Sequence, residues 1–245
     1  MRVVVAPFHR FSSLFVSNVY LLDGGPGDRW LVDSGHWTER WQLLRELRAT
    51  GYRPSDITGV LLTHRHSDHA GNAAFLRREF GIRVLAHRAD AEVLDGTRPR
   101  PRMGDRGTLL ERALCEVENR FPAKVPVDRA LEHGEVVAGM EVHNVPGHTE
   151  GSVFYRHPAT GCLLTGDTLL TARPPLTILG EVMRAYDAFS ADTARAHASL
   201  DAFHAQGWDY AHVLAGHGRP MVRDARARVL RALQREGRST GAAAG

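Results

Sequence analysis

Cysteine is scarce in this chain: Cys115 and Cys162 are the only two in 245 residues. One pair without a dense framework excludes a disulfide scaffold, and each reads as a small core residue rather than a ligand or nucleophile. Lysine is scarcer still, since Lys124 stands alone and arginine carries nearly all the positive charge. That bias reads as coding preference before function. The formal net charge is +3 with histidines neutral, too small a surplus to point to nucleic acid by itself. No apolar run approaches the roughly 20 residues that a membrane span needs. Met1–Pro7 is too short for a signal peptide, and Pro7 breaks it. A soluble, cytoplasmic protein is therefore expected. The chain also lacks a linker, an internal repeat and any low-complexity segment before its end. We expect a single domain over residues 1–236, large enough to bury a sizeable core, and a flexible C-terminal tail over 237–245.

The pattern of apolar residues and breakers predicts the order of elements. Val3–Ala6, Ser17–Leu22 and Trp30–Asp33 read as strands, the last two joined by a glycine-rich turn at 24–27. Thr38 is placed to cap a helix reaching Ala49, with Trp41, Leu44 and Leu47 at helical spacing. Strand Gly59–Leu62, helix Ala73–Phe80 and strand Arg83–Ala86 follow. A loop rich in Pro, Gly and Arg spans Gly96–Arg106, and Leu109–Arg120 reads as a helix. Strands are expected at Met140–Val145, Ser152–Arg156, Cys162–Thr165 and His212–Ala215. Helices are expected at Ala191–Ala205 and Arg223–Arg235, with an apolar, proline-containing loop at Leu169–Gly180. Two sheet layers between helices, in two loosely similar halves, fit this order.

Most of the 14 histidines lack any functional context, but five do not. His64, His66, Asp68 and His69 fall within six positions, directly after the apolar run Gly59–Leu62. Imidazole nitrogens and a carboxylate suit zinc and similar divalent metals, and a strand running into a turn delivers them to one small volume. Three further turns share a design: an apolar strand, a glycine, then a potential ligand. They supply His148 after Gly147, Asp167 after Gly166 and His217 after Gly216. Glycine there permits a sharp turn and close approach of backbone. A fourth apolar strand ends in Asp33-Ser34-Gly35. Any one of these turns alone is weak evidence; seven donors in this arrangement are hard to assemble by chance.

These residues resemble the metallo-β-lactamase superfamily, whose pattern is HxHxDH followed by a lone His, a lone Asp and a lone His. The surrounding Val32-Asp33-Ser34-Gly35, Pro146–Ser152, Thr165–Thr168 and Gly216-His217-Gly218 match too, so the resemblance runs from about Val3 to Gly218. It implies an α/β fold of the four-layer αββα sandwich type and a binuclear site of two divalent ions, zinc first, with iron or manganese as alternatives. His64, His66 and His148 would hold one metal, Asp68, His69 and His217 the other, and Asp167 would bridge. Asp33 would orient a ligand imidazole or simply shape its turn. The implied chemistry is a metal-bridging hydroxide attacking a carbonyl or phosphorus, with Asp68 as the catalytic residue that holds the nucleophile or takes its proton.

Substrate is read from departures within that family. The bridging Asp167 argues against β-lactams. Glyoxalase II-like enzymes share the seven ligands, but their C-terminal helical region and the glycine- and arginine-rich stretch after the Asp have no counterpart here. The tyrosine that lactonases place three residues beyond the Asp is Leu170. Arg98, Arg100, Arg102 and Arg106 form a basic loop that is either solvated or phosphate-binding. The apolar segment Thr168–Ser190, with Phe8, Phe11, Phe15, Trp37 and Tyr186, is either a wall and lid over the site or core packing. Together these predict a small-molecule acyl substrate: a carboxylic ester, thioester or lactone. The rivals are a phosphodiesterase or ribonuclease type, a β-lactam hydrolase, a mono-iron sulfur dioxygenase and a non-enzymatic metal-binding protein; neither nucleic acid nor a membrane is the expected partner.

Overall fold

Alternation along the strands builds the architecture. The structure, a computed structural model, describes residues 1–11, 14, 16–104, 106–172 and 182–242, with side chains to Glu236. The first sheet runs in chain order: β1 (Arg2–Val5), β2 (Phe8–Arg10), β3 (Tyr20–Asp23), β4 (Arg29–Val32), β5 (Gly59–Leu61), β6 (Arg83–His87) and β7 (Arg129–Leu131). The second contains β8 (Val136–Val137), β9 (Met140–Asn144), β10 (Val153–His157), β11 (Cys162–Gly166), β14 (His212–Ala215) and β15 (Met221–Val222), in the order β15-β14-β11-β10-β9-β8. Between β11 and β14 in the chain, β12 (Leu169–Leu170) and β13 (Met183–Arg184) pair with each other.

Successive side chains point to opposite faces of a strand, and here both faces are apolar. Leu22, Trp30, Val32, Leu61 and Leu85 face Val142, Val153, Tyr155, Leu164 and Leu214 across the two sheets. The alternate residues Leu21, Leu31, Val60 and Val84 pack outward on α1 (Arg40–Ala49), α3 (Ala73–Phe80) and α4 (Arg88–Leu94) through Leu43, Leu47, Leu76 and Leu94. On the other side Phe154, Leu163 and Val213 meet Leu200 and Phe203 of α6 (Thr193–Ala205) and Val229 and Leu233 of α7 (Ala225–Ala242). Three apolar clusters thus separate four layers, the αββα order expected. The short α2 (Ser67–Ala70) follows β5, and α5 (Leu109–Arg120) lies between β6 and β7 in the chain.

Strand direction positions the site. β4, β5 and β6 are mutually parallel. In the second sheet β9 and β11 both run antiparallel to β10, and β14 runs parallel to β11. The ends of β9, β11 and β14 therefore lie along one edge of that sheet, as those of β4 and β5 do in the first.

Several expectations need correction. Phe8 and Phe11 do not wall the site: both are fully buried, Phe8 between the sheets and Phe11 under the helices. Strand β2 faces Phe8 inward, and without that strand the residue has no assignable side. Leu169 and Leu170 are also core, in β12. Residues 173–181 of the expected loop, and Phe15, lie outside the described residues. Helix α7 continues past the expected end at Arg235, through Gly237 and Gly241, to Ala242, although each glycine costs about 1 kcal/mol in a helix. Both cysteines are buried and free, as expected. Among the described residues no helix is long and apolar enough to cross a membrane.

The outer cluster is expected to be tightly packed. Phe154 is fully buried, edge-on to Phe203 at 5.0 Å, so Phe154→Ala should cost about 3–5 kcal/mol in urea unfolding. A loss below about 1 kcal/mol would show that this layer is loosely packed.

Candidate metal centre

Each of the seven donors stands just beyond the end of a strand. β5 stops at Leu61, and three and five residues later the chain reaches His64 and His66. His66 is the N-cap of α2, which carries Asp68 and His69. β9 leads through Val145-Pro146-Gly147 to His148, β11 to Asp167, and β14 through Gly216 to His217. The glycines are required at two of these turns. Gly147 has φ +135° and lies against the backbone of Ala196 in α6. A side chain on Gly216 would run into the Asp167 carboxylate and the His69 ring.

The seven side chains form two groups. His64, His66 and His148 offer ligand atoms all within 4.8 Å of one another, as do Asp68, His69, Asp167 and His217. In the first group His148 Nε2 lies 3.2 Å from His64 Nε2 and 3.0 Å from His66 Nδ1. In the second, His217 Nε2 lies 3.1 Å from Asp68 Oδ2 and 3.2 Å from Asp167 Oδ2. His69 Nε2 lies 3.4 Å from Asp68 Oδ2 and 3.3 Å from Asp167 Oδ1. The groups meet where Asp167 Oδ2 comes within 3.8 Å of His148 Nε2.

Protonation differs between them. Burial pushes the His64 and His66 imidazoles well down, and neighbouring imidazoles add to it. Burial brings His148 down to about 4, against the pull of Asp167. Burial also opposes charge on His217, yet Asp167 and Asp68 push it up to about 10. His69 is raised likewise against burial by Asp68, Asp167 and Asp33. Burial would raise Asp68 and Asp167, but His69 and His217 hold both carboxyls well below their usual range. Without a metal, the first group is three neutral imidazoles and the second is an ionised cluster.

The donor set fits divalent ions. Three neutral imidazoles turn nitrogens toward one another at 3.0–3.2 Å, an arrangement a cation satisfies. Asp167 Oδ1 is buried and accepts no hydrogen bond, with only the His69 ion pair at 3.3 Å beside it, an environment that a cation would complete.

Surrounding groups fix the donors. Asp33 combines the two roles its turn suggested. Its backbone takes φ +62°, which Asp tolerates better than most residues, and its Oδ2 lies 2.7 Å from His69 Nδ1. Its other oxygen accepts from the Thr63 N–H at 2.8 Å. Asn18 Nδ2 donates to the carbonyls of Ala215 and Gly218, both at 2.8 Å, bracketing His217. Ser190 Oγ lies 3.2 Å from His148 Nδ1. The residue the sequence did not signal is Asp90, in α4. Fully buried, it accepts from the Arg65 N–H at 2.9 Å, Arg65 Nη1 at 2.7 Å, Thr149 Oγ1 at 2.6 Å and the Gly151 N–H at 3.2 Å. It thereby joins the loop of His64 and His66 to that of His148.

Residues 13–203 match the sequence profile of the family described as Metallo-beta-lactamase superfamily. The chain belongs to that superfamily. Similar proteins include probable metallo-hydrolase YybB of Bacillus subtilis, 30% identical over 64% of this chain and 63% of that protein. Hydroxyacylglutathione hydrolases of Fuscovulum blasticum and Anaeromyxobacter dehalogenans are 32% and 34% identical over 62% of this chain. The matched stretch spans only 47% and 46% of those two enzymes. Among solved structures, metallo-beta-lactamase family protein TTHA1429 from Thermus thermophilus superposes with a TM-score of 0.67 at 24% identity, covering 96% of this chain and 81% of its own. TTHA1623, solved in a di-iron-bound form, gives 0.61 at 27% identity, covering 94% and 98%.

The geometry makes two measurable claims. Asp90→Asn leaves the Arg65 guanidinium buried without its counter-charge, so it should cost about 3–5 kcal/mol in denaturant unfolding and weaken metal retention at the three-histidine group. Wild-type stability and metal content in this variant would refute the tie. Ligand imidazoles must be neutral, so metal uptake by the three-histidine group should release almost no protons near pH 7.5. Uptake by the other group should release roughly one to two, because His217 and His69 are protonated beforehand. Calorimetric titration in buffers of different ionisation enthalpy reads the difference, and equal release in both steps would contradict the assignment.

Proposed function

We propose that this chain is a metal-dependent hydrolase of small carboxylic thioesters, with esters and lactones as related substrates. His64, His66 and His148 would hold one divalent ion and Asp68, His69 and His217 a second, with Asp167 shared and zinc the expected metal. The observation that carries this reading is the position of Asp167, whose Oδ2 stands 3.2 Å from His217 Nε2 and 3.8 Å from His148 Nε2. One carboxylate reaches both donor groups, as a two-ion site requires. Two of the similar proteins are named hydroxyacylglutathione hydrolase, and a hydroxyacylglutathione is a thioester, which supports thioesters over the other acyl classes.

When bound, divalent ions supply Lewis-acid polarisation of the substrate carbonyl and a water acidic enough to ionise near pH 7. The chain's own groups do the rest. Asp68, with 25% of its side chain exposed, is the most accessible of the seven. Held ionised by His69 and His217, its carboxylate would accept a proton from the attacking water. Asp33 keeps the proton of His69 on Nδ1, which turns Nε2 toward the cluster. Ser190 does the equivalent for His148.

The test couples metal analysis of the purified protein to a panel of thioesters, lactones, β-lactams and phosphodiesters, each with and without chelator. Two ions per chain, thioester cleavage that stops with chelator and returns with zinc, and a fall of about 100-fold or more in Asp68→Ala are expected. Full activity in Asp68→Ala, or cleavage confined to phosphodiesters, would sink the reading.

A further inference from the structure

The arginine-rich segment after α4 is not the freely solvated loop its composition allows. Arg98, Arg100, Arg102 and Lys124 line a cavity of about 420 Å³, and among the described residues no acidic side chain forms part of its wall. The carboxylates that neutralise these arginines come from outside it: Glu150 pairs with Arg98, Glu118 with Arg100 and Glu116 with Arg102, each at 2.8 Å or less. These pairs differ in strength. Arg100–Glu118 is largely buried, while both partners of Arg102–Glu116 are more than half exposed, and exposed pairs contribute only about 0–1 kcal/mol. Arg102 can therefore exchange its partner for a ligand at little cost. A concave wall lined by one sign of charge concentrates the opposite sign, and guanidinium groups match the geometry of phosphate-type oxyanions.

The wall is also stiff. Pro99, Pro101 and Pro122 restrict its backbone, while Asn119 is locked by two bonds to the Met103 backbone. Arg98 and Arg100 donate to the carbonyls of Ala89 and Ala123, so these two hold the loop together as well as charging it. Arg102 and Lys124 are exposed and anchor no backbone among the described contacts.

We propose that this cavity binds a small polyanion carrying two or more phosphate-type groups, at a site separate from the seven donors. The site adjoins the metal loop: Glu118, which accepts from Arg100, also accepts from the Ser67 N–H at 3.1 Å, between His66 and Asp68.

The experiment is calorimetric titration of the metal-loaded protein with pyrophosphate and with 1,3-benzenedisulfonate, a dianion whose sulfonates are poor metal ligands. One-to-one binding of both is expected, weakening as salt rises. In the double variant Arg102→Glu, Lys124→Glu it should weaken at least tenfold, with metal content and basal hydrolysis unchanged. The milder Arg102→Gln, Lys124→Gln should show an intermediate loss. Binding that neither double variant alters, binding of pyrophosphate alone, or no saturable binding of either probe would overturn the site.

Discussion

Asp90 accepts four hydrogen bonds, two on each oxygen, from two loops far apart in the chain. Those loops carry the three histidines of one donor group. Without a shared anchor each would be an irregular segment beyond a strand end, free to shift by more than a metal site tolerates. The tie requires burying a carboxylate and a guanidinium, with Asp90 fully buried and Arg65 2% exposed. Desolvation of such a pair is compensated only when geometry and extra hydrogen bonds are good. Here Arg65 supplies both the counter-ion and a backbone N–H, and Thr149 and Gly151 fill the remaining acceptor sites. The same pair thus closes the fold locally and presets the imidazoles.

The clustered side chains divide their charge unevenly. The three-histidine group contributes no charge, and the second group contributes both carboxylates. Asp167 offsets that asymmetry because its carboxylate reaches both groups. Its placement depends on Gly216, since any side chain there would occupy the position of the carboxylate. A glycine in one turn thereby permits the acid of another, linking β14 to β11 through packing as well as through their parallel pairing.

That these seven side chains would gather was legible in the sequence, because their segments follow a locally recognisable pattern, an apolar strand and then a turn. The four layers were legible for the same reason: the long strands and helices carry their own period. What could not be read is what depends on partners distant in the chain. Asp90 sits in a seven-residue helix between alanines, and nothing nearby marks it as the partner of Arg65 and Thr149. Strands β2, β7, β8, β12, β13 and β15 have two or three residues each, too few to show alternation. For Phe8 and Phe11 the choice between site wall and core stayed open on that account. Aromatic residues near a site in sequence have no assigned face until the strand that carries one of them is known.

Helix α5 shows how tertiary demand reverses the usual amphipathic arrangement. Its inward contacts are largely polar. Glu111 caps the helix at Thr108 and accepts from the Tyr186 hydroxyl at 2.8 Å, while Cys115 lies 3.3 Å from the Ala188 carbonyl. At the other end Glu118 meets Ser67, and Ser67 Oγ donates to the Phe121 carbonyl at 3.1 Å. Leu110, Leu114 and Val117 are left 59%, 42% and 47% exposed. A helix chosen for core packing would turn those residues inward. This one braces the segment containing Tyr186 and Ala188 at one end and the metal loop at the other, and both ends of that brace need hydrogen bonds with fixed direction. Apolar contact is non-directional and would let either segment slide. The polar inner face therefore follows from the task of holding two irregular segments in register, and the exposed leucines are its consequence.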